Sequence, residues 1–411
     1  MSGQPSSAGI RLVVLDDAPH VAWEGRVHAV NATFHQFLAI MLDVDGPDGR
    51  PAIARLRMCV PVRPAAEPPA GLPVDPRIEV VATAPFDGIA GFVRGAPALL
   101  ARNAPRLRRA LRDADVTLLR LPASNGLLAA ALARALGVPR VAYVAGSVRA
   151  VVAGQGRGGP AGLAAQCAAA SYDLATRLAA AGADTIVVGA DLAGDGIVTS
   201  LVRPGEVRSV PAAAPWPAEA GRLRLAWSGR LARGKGLETL LDAVALLAAD
   251  PPGGRRVELC ILGDGPARPA LEARAAEPAL AGRVAFSGYV ADRDAYLASL
   301  AAADLFLFPS PAEGFPKVVL DAMAAGLPVM AAPAGTLAEL IGAQDPGRPA
   351  PLAPVAAGDP PAIAAAVRAL VADPGRAMAI RTAGTRFVLD HTADAEASRL
   401  VARLVAAAGR H

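Results

Sequence analysis

The sequence predicts an α/β protein made of two Rossmann-like, doubly wound domains that face each other across a cleft. Short apolar runs alternate with helix-length segments twice along the chain, which is typical of parallel sheets covered by helices. A length of 411 residues also favours two domains over one. A proline-rich stretch without periodicity, 204–221, lies between the two runs, and we interpret it as the interdomain linker. We therefore place an N-terminal domain at 8–203, a C-terminal domain at 222–386 and a final helical segment at 387–411.

The N-terminal half opens on an apolar strand at 10–15. Thr33 and Ser124 are residue types that accept hydrogen bonds from free helix amides, so we expect them to cap helices at 34–42 and 125–136. The remaining predicted strands of this half lie at 52–62, 77–83, 115–121, 140–145 and 184–189, and its remaining helices lie around the arginine-rich segment 102–112 and at 163–181.

The C-terminal half repeats the alternation with clearer boundaries. Its predicted strands are 223–227, 257–262, 284–287, 305–308 and a run that starts at Pro328. Its predicted helices are 237–249, 267–276, 292–302 and 316–325. Beyond a proline-rich loop at 345–361 we expect the tail to be wholly helical.

Composition and charge exclude several classes of protein. Arg, Asp or Glu interrupts every apolar run before it reaches the ~18 residues of a membrane span, and the first residues lack the basic and apolar regions of a signal peptide. Three well-separated cysteines without a CxxC pair indicate a reduced, cytosolic chain with no structural metal site. A net charge of +4 is too small to require nucleic acid as a partner.

A polar cluster follows the apolar run 305–308. Glu313 and Gly314 stand where this strand meets the next helix, and a helix N-terminus favours anions. Lys317 and Asp321 are four residues apart and therefore share a helix face. In a parallel sheet ligands bind outside the carboxyl ends of the strands, so these groups are candidate ligand contacts.

A second cluster follows the first strand of this half. Gly229, Gly234 and Gly236 allow the backbone to turn closely around a ligand, and Arg230 and Lys235 supply two cations. Cations at this spacing suit a diphosphate, although an ordinary solvated turn has the same composition. Together with the Glu313 cluster on the same predicted sheet, the pattern favours a nucleoside-diphosphate site.

Four motifs occur in the order and spacing of a known family. They are Gly229-Arg-Leu-x3-Lys235-Gly, Leu262-Gly-Asp-Gly-Pro266, Val284-x-Phe-x-Gly-Tyr-Val290 and Glu313-Gly-Phe-Pro-x3-Leu-Asp321-Ala-Met-Ala-x-Gly-Leu-Pro-Val329. As a set they resemble the C-terminal domain of glycosyltransferase family 4, whose members have the GT-B fold, over about 222–386. The resemblance implies a retaining, metal-independent transfer from a nucleoside-diphosphate sugar, such as a UDP- or GDP-sugar, with no cofactor. It also implies that the N-terminal domain binds the acceptor and that the last helix crosses back to that domain.

The resemblance assigns roles to individual residues. Arg230 and Lys235 are expected to hold the diphosphate and Glu313 to accept hydrogen bonds from the donor sugar, so these three are the candidate catalytic residues. The candidate donor contacts are Gly229, Gly263, Val290, Gly314, Phe315, Lys317, Val318 and Asp321. Asp321 replaces the usual glutamate that grips the ribose hydroxyls and is one methylene shorter. Two interpretations of Lys317 stay open: a phosphate contact, or a surface pair with Asp321.

The N-terminal half resembles the family only in its rhythm of strands and helices. Asp16-Asp17-Ala-Pro-His20 stands where many members carry a Gly-Gly loop. His20 and Arg120 lie near the predicted carboxyl ends of strands and are our candidates on the acceptor side, with a structural histidine as the alternative at His20. His28 and His35 are interpreted as solvated or packing residues.

Three further patterns have ordinary explanations that we prefer. Asp43-Val-Asp45 has the form of a metal-binding pair but stands before a turn. Gly154-Gln-Gly-Arg-Gly-Gly159 fits a dinucleotide motif, yet no acidic strand end follows at the required distance, so we expect a loop that folds over the acceptor. The arginine-rich helix around 102–112 is interpreted as a solvated face, with contact to anionic lipid as the alternative that would make the protein membrane-peripheral.

The sequence therefore predicts a cytoplasmic glycosyltransferase whose partners are a nucleotide-sugar donor and a hydroxyl acceptor: a glycan, a lipid-linked molecule or a small natural product. Three alternatives stay open: a nucleotide-sugar epimerase of the same architecture, a non-catalytic nucleotide-sugar-binding or scaffold protein, and a dinucleotide oxidoreductase. The sequence does not fix the base, the sugar or the oligomeric state.

Overall fold

The apolar runs of the N-terminal half form the strands of one nine-stranded sheet. The computed structural model describes residues 9–69, 71–145, 159–189, 196–209, 216–217, 219–342 and 349–410. The strands of this sheet are β1 (Ile10–Leu15), β2 (His20–Trp23), β3 (Arg26–Ala29), β4 (Ile53–Pro64), β5 (Leu72–Pro73), β6 (Ile78–Thr83), β7 (Val116–Leu121), β8 (Arg140–Val144) and β9 (Asp184–Val187).

The strand order of the first sheet is β5-β3-β2-β4-β1-β7-β8-β9, with β6 also paired to β4. Its pairings are parallel except those of β3 with β2 and β5. The hairpin of β2 and β3 was not predicted, because its strands are only four residues long and only half apolar. The turn between them is closed by Glu24 and Gly25, both of which have a positive φ angle.

The C-terminal half forms a second sheet in which every pairing is parallel. Its strands are β10 (Arg222–Ser228), β11 (Arg256–Leu262), β12 (Val284–Gly288), β13 (Leu305–Phe308), β14 (Val329–Ala331) and β15 (Ala353–Pro354). The order is β12-β11-β10-β13-β14-β15. The predicted α/β class with two doubly wound sheets is confirmed, and β15 is an addition to it because a two-residue strand leaves no periodic signal.

Helices cover the two sheets. Those of the first half are α1 (Thr33–Met41), α2 (Gly88–Leu111), α3 (Gly126–Ala135) and α4 (Gly159–Ala180). Those of the second half are α5 (Leu237–Ala249), α6 (Arg268–Ala275), α7 (Arg293–Ala301), α8 (Lys317–Ala324), α9 (Leu337–Gly342), α10 (Pro360–Ala372), α11 (Pro374–Asp390) and α12 (Ala393–Ala408).

Both predicted N-caps are wrong by one position, because the N-cap positions are Ala32 and Asn125. Thr33 is the first residue of α1, and it is the side chain of Asn31 that accepts a hydrogen bond from its backbone amide. Ser124 precedes α3, whose N-cap position is Asn125, and its own amide donates to Asp17. Helix ends are the least certain part of a prediction from sequence, and an error of one residue at the helix start is enough to move the N-cap.

The last helix, α12, packs on the first domain rather than on the second. Leu400, Val401 and Leu404 belong to the same buried cluster as Leu12 on β1 and Phe34 on α1. The buried carboxylate of Glu396 accepts a hydrogen bond of 3.0 Å from the backbone amide of Val198. The two halves of the chain are thus joined by a helix that crosses back, in addition to the segment around 204–221.

Of the patterns raised by the sequence, one is explained by a contact in the structure and another lies mostly outside the described residues. Asp43 forms an ion pair of 2.6 Å with Arg77, which accounts for its carboxylate. Most of the glycine-rich loop that starts at Gly154 lies outside the described residues. Within the described ranges, no helix combines the length and the apolar character that a bilayer crossing requires, and no group of three or more His, Cys, Asp or Glu side chains is arranged to hold a metal ion.

Candidate active site

Each sheet has a switch point, where the strand order reverses and the connections from two neighbouring strands leave on opposite sides of the sheet. The candidate site lies at these switch points. In the second sheet β10 lies between β11 and β13, so the loops after β10 and β13 separate there. In the first sheet the same relation holds for β1, which lies between β4 and β7. Crevices at such points are where open α/β sheets bind ligands. The Gly229 loop and the Glu313 loop therefore occupy one crevice because of strand order.

Backbone hydrogen bonds join the loops that follow β10, β11 and β12. The amide of Gly229 donates to Leu262 at 3.0 Å, and the amide of Gly263 donates to Gly288 at 2.7 Å. Gly229 and Gly263 have φ angles of 149° and 131°, and a Cβ atom on Gly263 would overlap the carbonyl oxygen of Gly229. Glycine at 263 is required by this close approach. Val290, two residues beyond Gly288, lies half-buried at the end of the same row of loops.

Gly236, the N-cap residue of α5, lies against the backbone of the β13 loop. Its φ angle is 72°, and a Cβ atom there would overlap the carbonyl oxygen of Pro309. This backbone contact brings the preceding residue, Lys235, to the loop that carries Glu313.

The Lys235 ammonium donates a hydrogen bond of 2.7 Å to Oε1 of Glu313. Ser310 donates to the same oxygen at 2.7 Å from its hydroxyl. Glu313 is mostly buried, with 12% of its side chain exposed, whereas Lys235 exposes 32%. A charge-assisted, partly desolvated pair of this kind holds the carboxylate in a fixed orientation. Ser310 was not predicted, although its place three residues before Glu313 in a Pro-Ser-Pro turn is a usable signal.

Arg230 stands in the same loop but is exposed. Among the described residues it makes no ion pair, so its guanidinium is open to a ligand at the rim of the crevice. The structure thus brings Glu313 and Lys235 into contact, and Arg230 lies exposed in the same loop as Lys235.

Gly314 and Phe315 connect the two domains. A Cβ atom on Gly314 would lie 3.1 Å from the carbonyl oxygen of Ala145, at the end of β8. Phe315 packs against the buried clusters of both domains. The hydroxyl of Thr336 donates to the carbonyl of Gly314 at 3.0 Å and supports the loop from behind. The Glu313 loop is therefore seated on the first domain.

The proposed surface pair of Lys317 and Asp321 is wrong. Asp321 is buried and is paired with Arg293 at 2.8 Å, and Arg293 also binds Glu206 of the linker region at 3.0 Å. The hydroxyl of Tyr296 donates to the second oxygen of Asp321 at 3.4 Å. Burial raises the pKa of Asp321, and the Arg293 guanidinium opposes this rise. Arg293 and Tyr296 were not predicted, because their contact with Asp321 depends on the packing of α7 against α8.

Lys317, at the start of α8, is half-buried and forms no ion pair with a described residue. The pKa of its ammonium is lowered to about 8, chiefly by burial and then by the nearby Arg120 guanidinium, while Asp321 and Asp16 act in the opposite direction. Val318, the next residue, is half-buried and packs against the second-domain core.

On the first domain, Asp16 and Arg120 meet at the switch point of the sheet. Asp16 follows β1 and accepts a hydrogen bond of 2.8 Å from Nη1 of Arg120 on β7. The guanidinium lies over the ring of Phe34, 4.5 Å from its centroid. The structure therefore places Arg120 in the crevice, as a cation that the sheet and an aromatic ring hold in place.

The three histidines of this half face the interior. His20 is 2% exposed, and its Nδ1 lies 2.8 Å from the carbonyl oxygen of Ala18. Burial lowers the pKa of His20 and of His35. His28 is also buried and packs edge-on against Trp23. These positions favour the structural interpretation of His20 over contact with an acceptor.

A polar cluster beside the crevice ties β1 to the loop after β7. The amide of Ser124 donates to the Asp17 carboxylate, and the Ser124 hydroxyl lies 2.8 Å from that of Tyr172. Burial raises the pKa of Asp17 to about 6 and that of Tyr172 to about 12. Asp17, Ser124 and Tyr172 bind one another, so this polar cluster holds the loops after β1 and β7 in place.

Part of the chain is similar to known glycosyltransferases. Residues 222–373 match the family model described as "Glycosyl transferases group 1". The chain is 33% identical over 187 residues to a 2-deoxystreptamine glucosyltransferase from Streptomyces kanamyceticus, covering 46% of each chain. It is 35% identical over 155 residues to a GDP-mannose-dependent α-(1-6)-phosphatidylinositol dimannoside mannosyltransferase from Mycobacterium tuberculosis, covering 38% of this chain and 37% of the relative. The match thus spans less than half the length of these relatives.

Solved structures resemble the chain over nearly its whole length. Sucrose-phosphate synthase from Thermosynechococcus elongatus superimposes with a TM-score of 0.65 at 19% identity, covering 97% of this chain and 100% of the other. HepE from Anabaena, solved in complex with UDP-glucose, has a TM-score of 0.58 at 17% identity and covers 97% and 99%. WaaG, a glycosyltransferase involved in lipopolysaccharide biosynthesis, has a TM-score of 0.62 at 16% identity and covers 96% and 99%. At these identities the likeness concerns the fold, which is GT-B.

Proposed function

We propose that the chain transfers a sugar from a nucleoside-diphosphate donor to a hydroxyl acceptor, because residues 222–373 match the family model of the glycosyl transferases group 1. The second domain binds the donor, and the first domain binds the acceptor. The observation that carries the proposal is the contact of Lys235 with Glu313 in the crevice between β10 and β13. A carboxylate held by an ammonium, beside a glycine-rich loop, provides both a sugar-hydroxyl acceptor and a phosphate-binding cation.

The donor is a UDP- or GDP-sugar in this proposal. HepE, which shares the fold, was solved with UDP-glucose, and the mycobacterial relative is described as dependent on GDP-mannose. In this chain Arg230 and Lys235 would bind the diphosphate, and Glu313 would orient the sugar through its hydroxyls. The close backbone approach of Gly229 and Gly263 holds the loops after β10 and β11 together.

The transfer proposed is retaining and proceeds on one face of the sugar. The bond from the anomeric carbon to the diphosphate oxygen breaks, and its electron pair stays on the diphosphate. The acceptor hydroxyl oxygen bonds to the same face of the anomeric carbon, and its proton passes to the departing phosphate oxygen. Arg230 and Lys235 stabilise the charge that develops on the diphosphate, which is the task that a metal ion performs in other enzymes. A metal-independent reaction is therefore part of the proposal.

Calorimetry with UDP and GDP, followed by an acceptor screen with UDP- and GDP-sugars, tests the proposal. Mass spectrometry of any donor that co-purifies with the protein would identify base and sugar together. We expect micromolar to millimolar binding of one nucleoside diphosphate and sugar transfer with the configuration at the anomeric carbon retained. Conversion of the donor without an acceptor would instead indicate an epimerase, and preferential binding of NAD would contradict the proposal.

The mechanism has its own test. A covalent adduct between the sugar and the protein, trapped with a slow donor analogue and located by peptide mass spectrometry, would exclude one-face transfer. Turnover that persists after exhaustive chelation, with EDTA-treated buffers and metal analysis of the protein, is expected from a reaction that relies on Arg230 and Lys235. Loss of turnover that added metal restores would contradict metal independence.

We also place the protein in the cytoplasm, where free thiols persist. Cys59, Cys167 and Cys260 are free in the structure, in keeping with a reducing compartment. Contact with a membrane surface is tested by sedimentation with anionic and neutral vesicles. Binding that depends on anionic lipid and is lost when the exposed arginines of α2 are replaced would assign that contact to α2.

A further inference from the structure

Two cations from opposite domains meet at the floor of the crevice. Arg120 is the penultimate residue of β7, and the next residue, Leu121, accepts a hydrogen bond of 2.8 Å from the amide of Ala145. The carbonyl of Ala145 in turn lies against Gly314. Lys317 follows Gly314 by three residues and opens α8. These contacts join the two loops, and the Arg120 guanidinium is close enough to the Lys317 ammonium to act on its charge.

The charges at this place do not balance within the protein. Asp16 is the carboxylate nearest to Arg120 and is bound to its Nη1. Asp321 is bound to Arg293. Within the described part of the chain Lys317 has no ion-pair partner, and the buried Nε of Arg120 has no hydrogen-bond acceptor. A half-buried ammonium and an unsatisfied guanidinium donor, side by side, are costly unless an anion binds them.

We propose that Arg120 and Lys317 together bind an anionic group, a phosphate or a carboxylate, that the acceptor carries near its reacting hydroxyl. This inference rests on the proposed function and narrows it to acceptors with a negative charge. A planar guanidinium and an ammonium suit one anion jointly, because the first offers directed donors and the second a point charge.

The position of the pair separates it from the diphosphate site. The diphosphate cations Arg230 and Lys235 follow β10, whereas Arg120 belongs to the first domain and Lys317 faces that domain. Glu313, the sugar-orienting carboxylate, separates the two pairs of cations: its side chain binds Lys235, and the next residue, Gly314, lies against Ala145 of the first domain. A donor that fills the first pair thus leaves the second pair to the other substrate.

Isothermal titration with sulfate tests the anion site, because sulfate keeps its charge over the pH range of interest. The full chain is titrated with and without a saturating concentration of UDP or GDP. We expect sulfate to bind the nucleotide-loaded protein, and its affinity to fall at least tenfold in Lys317→Met and in Arg120→Gln. The control is Arg109→Gln, an exposed arginine of α2, in which sulfate affinity should stay at the wild-type value.

The variants are chosen so that folding does not obscure the result. Methionine has nearly the length of lysine and removes only the charge, and glutamine retains a donor for Asp16. Melting curves are recorded for both, and if Arg120→Gln fails to fold, Lys317→Met alone decides. A final arm compares neutral, phosphorylated and carboxylated sugars as acceptors, and we expect the preference in kcat/KM for a charged acceptor to shrink at least tenfold in Lys317→Met.

The outcomes separate this inference from the proposed function. Displacement of sulfate by nucleotide would show that Arg120 and Lys317 bind the donor diphosphate, and it would overturn the proposal of an acceptor site. Equal sulfate binding in wild type and Lys317→Met would overturn the anion pair. Absence of nucleotide binding by the wild-type protein would instead overturn the proposed function. Nucleotide binding together with sulfate binding that depends on both cations supports the inference.

Discussion

Lys235 and Glu313 are 78 residues apart in the chain, and their side chains form a hydrogen bond of 2.7 Å. The contact exists because β10 and β13 are neighbours in the sheet although β11 and β12 separate them in sequence. It gives a carboxylate with one oxygen held by Lys235 and Ser310, in a partly desolvated crevice.

Replacing either member of the pair should slow transfer strongly without unfolding the protein. We expect Glu313→Gln and Lys235→Met each to lower kcat by about 10²–10³, the range seen when one preorganised polar group is lost. Initial rates with saturating donor measure the effect, and circular dichroism checks the fold. Glu67→Gln, on an exposed residue of the first domain, is the matched control. Full turnover in either site variant would refute the site.

Two neighbouring glycines should respond very differently to alanine. Both have a positive φ, 72° at Gly236 and 82° at Gly234, but only at Gly236 would a Cβ atom meet backbone, at Pro309. Gly234→Ala should cost about 1 kcal/mol of backbone strain and keep nucleotide binding. Gly236→Ala should push the two loops apart and lower nucleotide affinity at least tenfold. Calorimetry measures the affinities, and equal effects of the two substitutions would contradict the loop contact.

Removing Arg293 should leave two carboxylates without their partner, Asp321 and Glu206. We expect Arg293→Met to lower the free energy of unfolding by about 3 kcal/mol, the usual effect of breaking a buried ion pair. Urea denaturation measures this, with exposed Arg376→Met as the control. Adding Asp321→Asn should restore part of the loss, because it removes the buried charge. A double variant that is as unstable as the sum of both single variants would show that the two residues are not coupled.

Lys317 should make stability depend on pH in the alkaline range. Its pKa falls from 10.5 to about 8 in the folded protein, chiefly through burial. Between these values the unfolded chain binds more protons than the folded one, so stability rises with pH from about 8 toward 10.5. The charged groups that face Lys317 are Arg120, Asp16 and Asp321.

The test compares wild type and Lys317→Met in urea at pH 7.0 and 9.5. At pH 7.0 the variant should be the more stable, by no more than roughly 3 kcal/mol, the free energy that corresponds to the change in pKa. Its advantage should shrink at pH 9.5, where Lys317 in the folded wild type is largely neutral. An advantage that is the same at both pH values would mean that Lys317 does not titrate there.

Sequence patterns predicted the second sheet closely and the first sheet less completely. β13 was placed at 305–308, the same residues as in the structure, because a buried parallel strand is a short uninterrupted apolar run. The hairpin at His20–Trp23 and Arg26–Ala29 was missed. Its strands lie toward the edge of the sheet and are only partly buried, so hydrophobic patterning there is weak.

The candidate site shows the same division. Glu313, Lys235 and the glycines were recognised because motif spacing is a property of the chain. The partners of Asp321 were not, because Arg293 reaches it from a different helix. A surface pair of Lys317 with Asp321, four residues away on the helix, was one of two open interpretations, and it was wrong because Asp321 is buried and paired with Arg293.

The sequence by itself determined the α/β class, the two runs of strands and helices, and the motifs that match the glycosyltransferase family, since all of these are local in the chain. Only the tertiary structure decided which side chains share an environment. Strand order brought Lys235 to Glu313, the packing of α7 gave Asp321 to Arg293, and the seating of the Glu313 loop on the first domain set Lys317 beside Arg120. The physical reason is that an ion pair or an unpaired charge depends on distance and burial in space, which local periodicity does not encode.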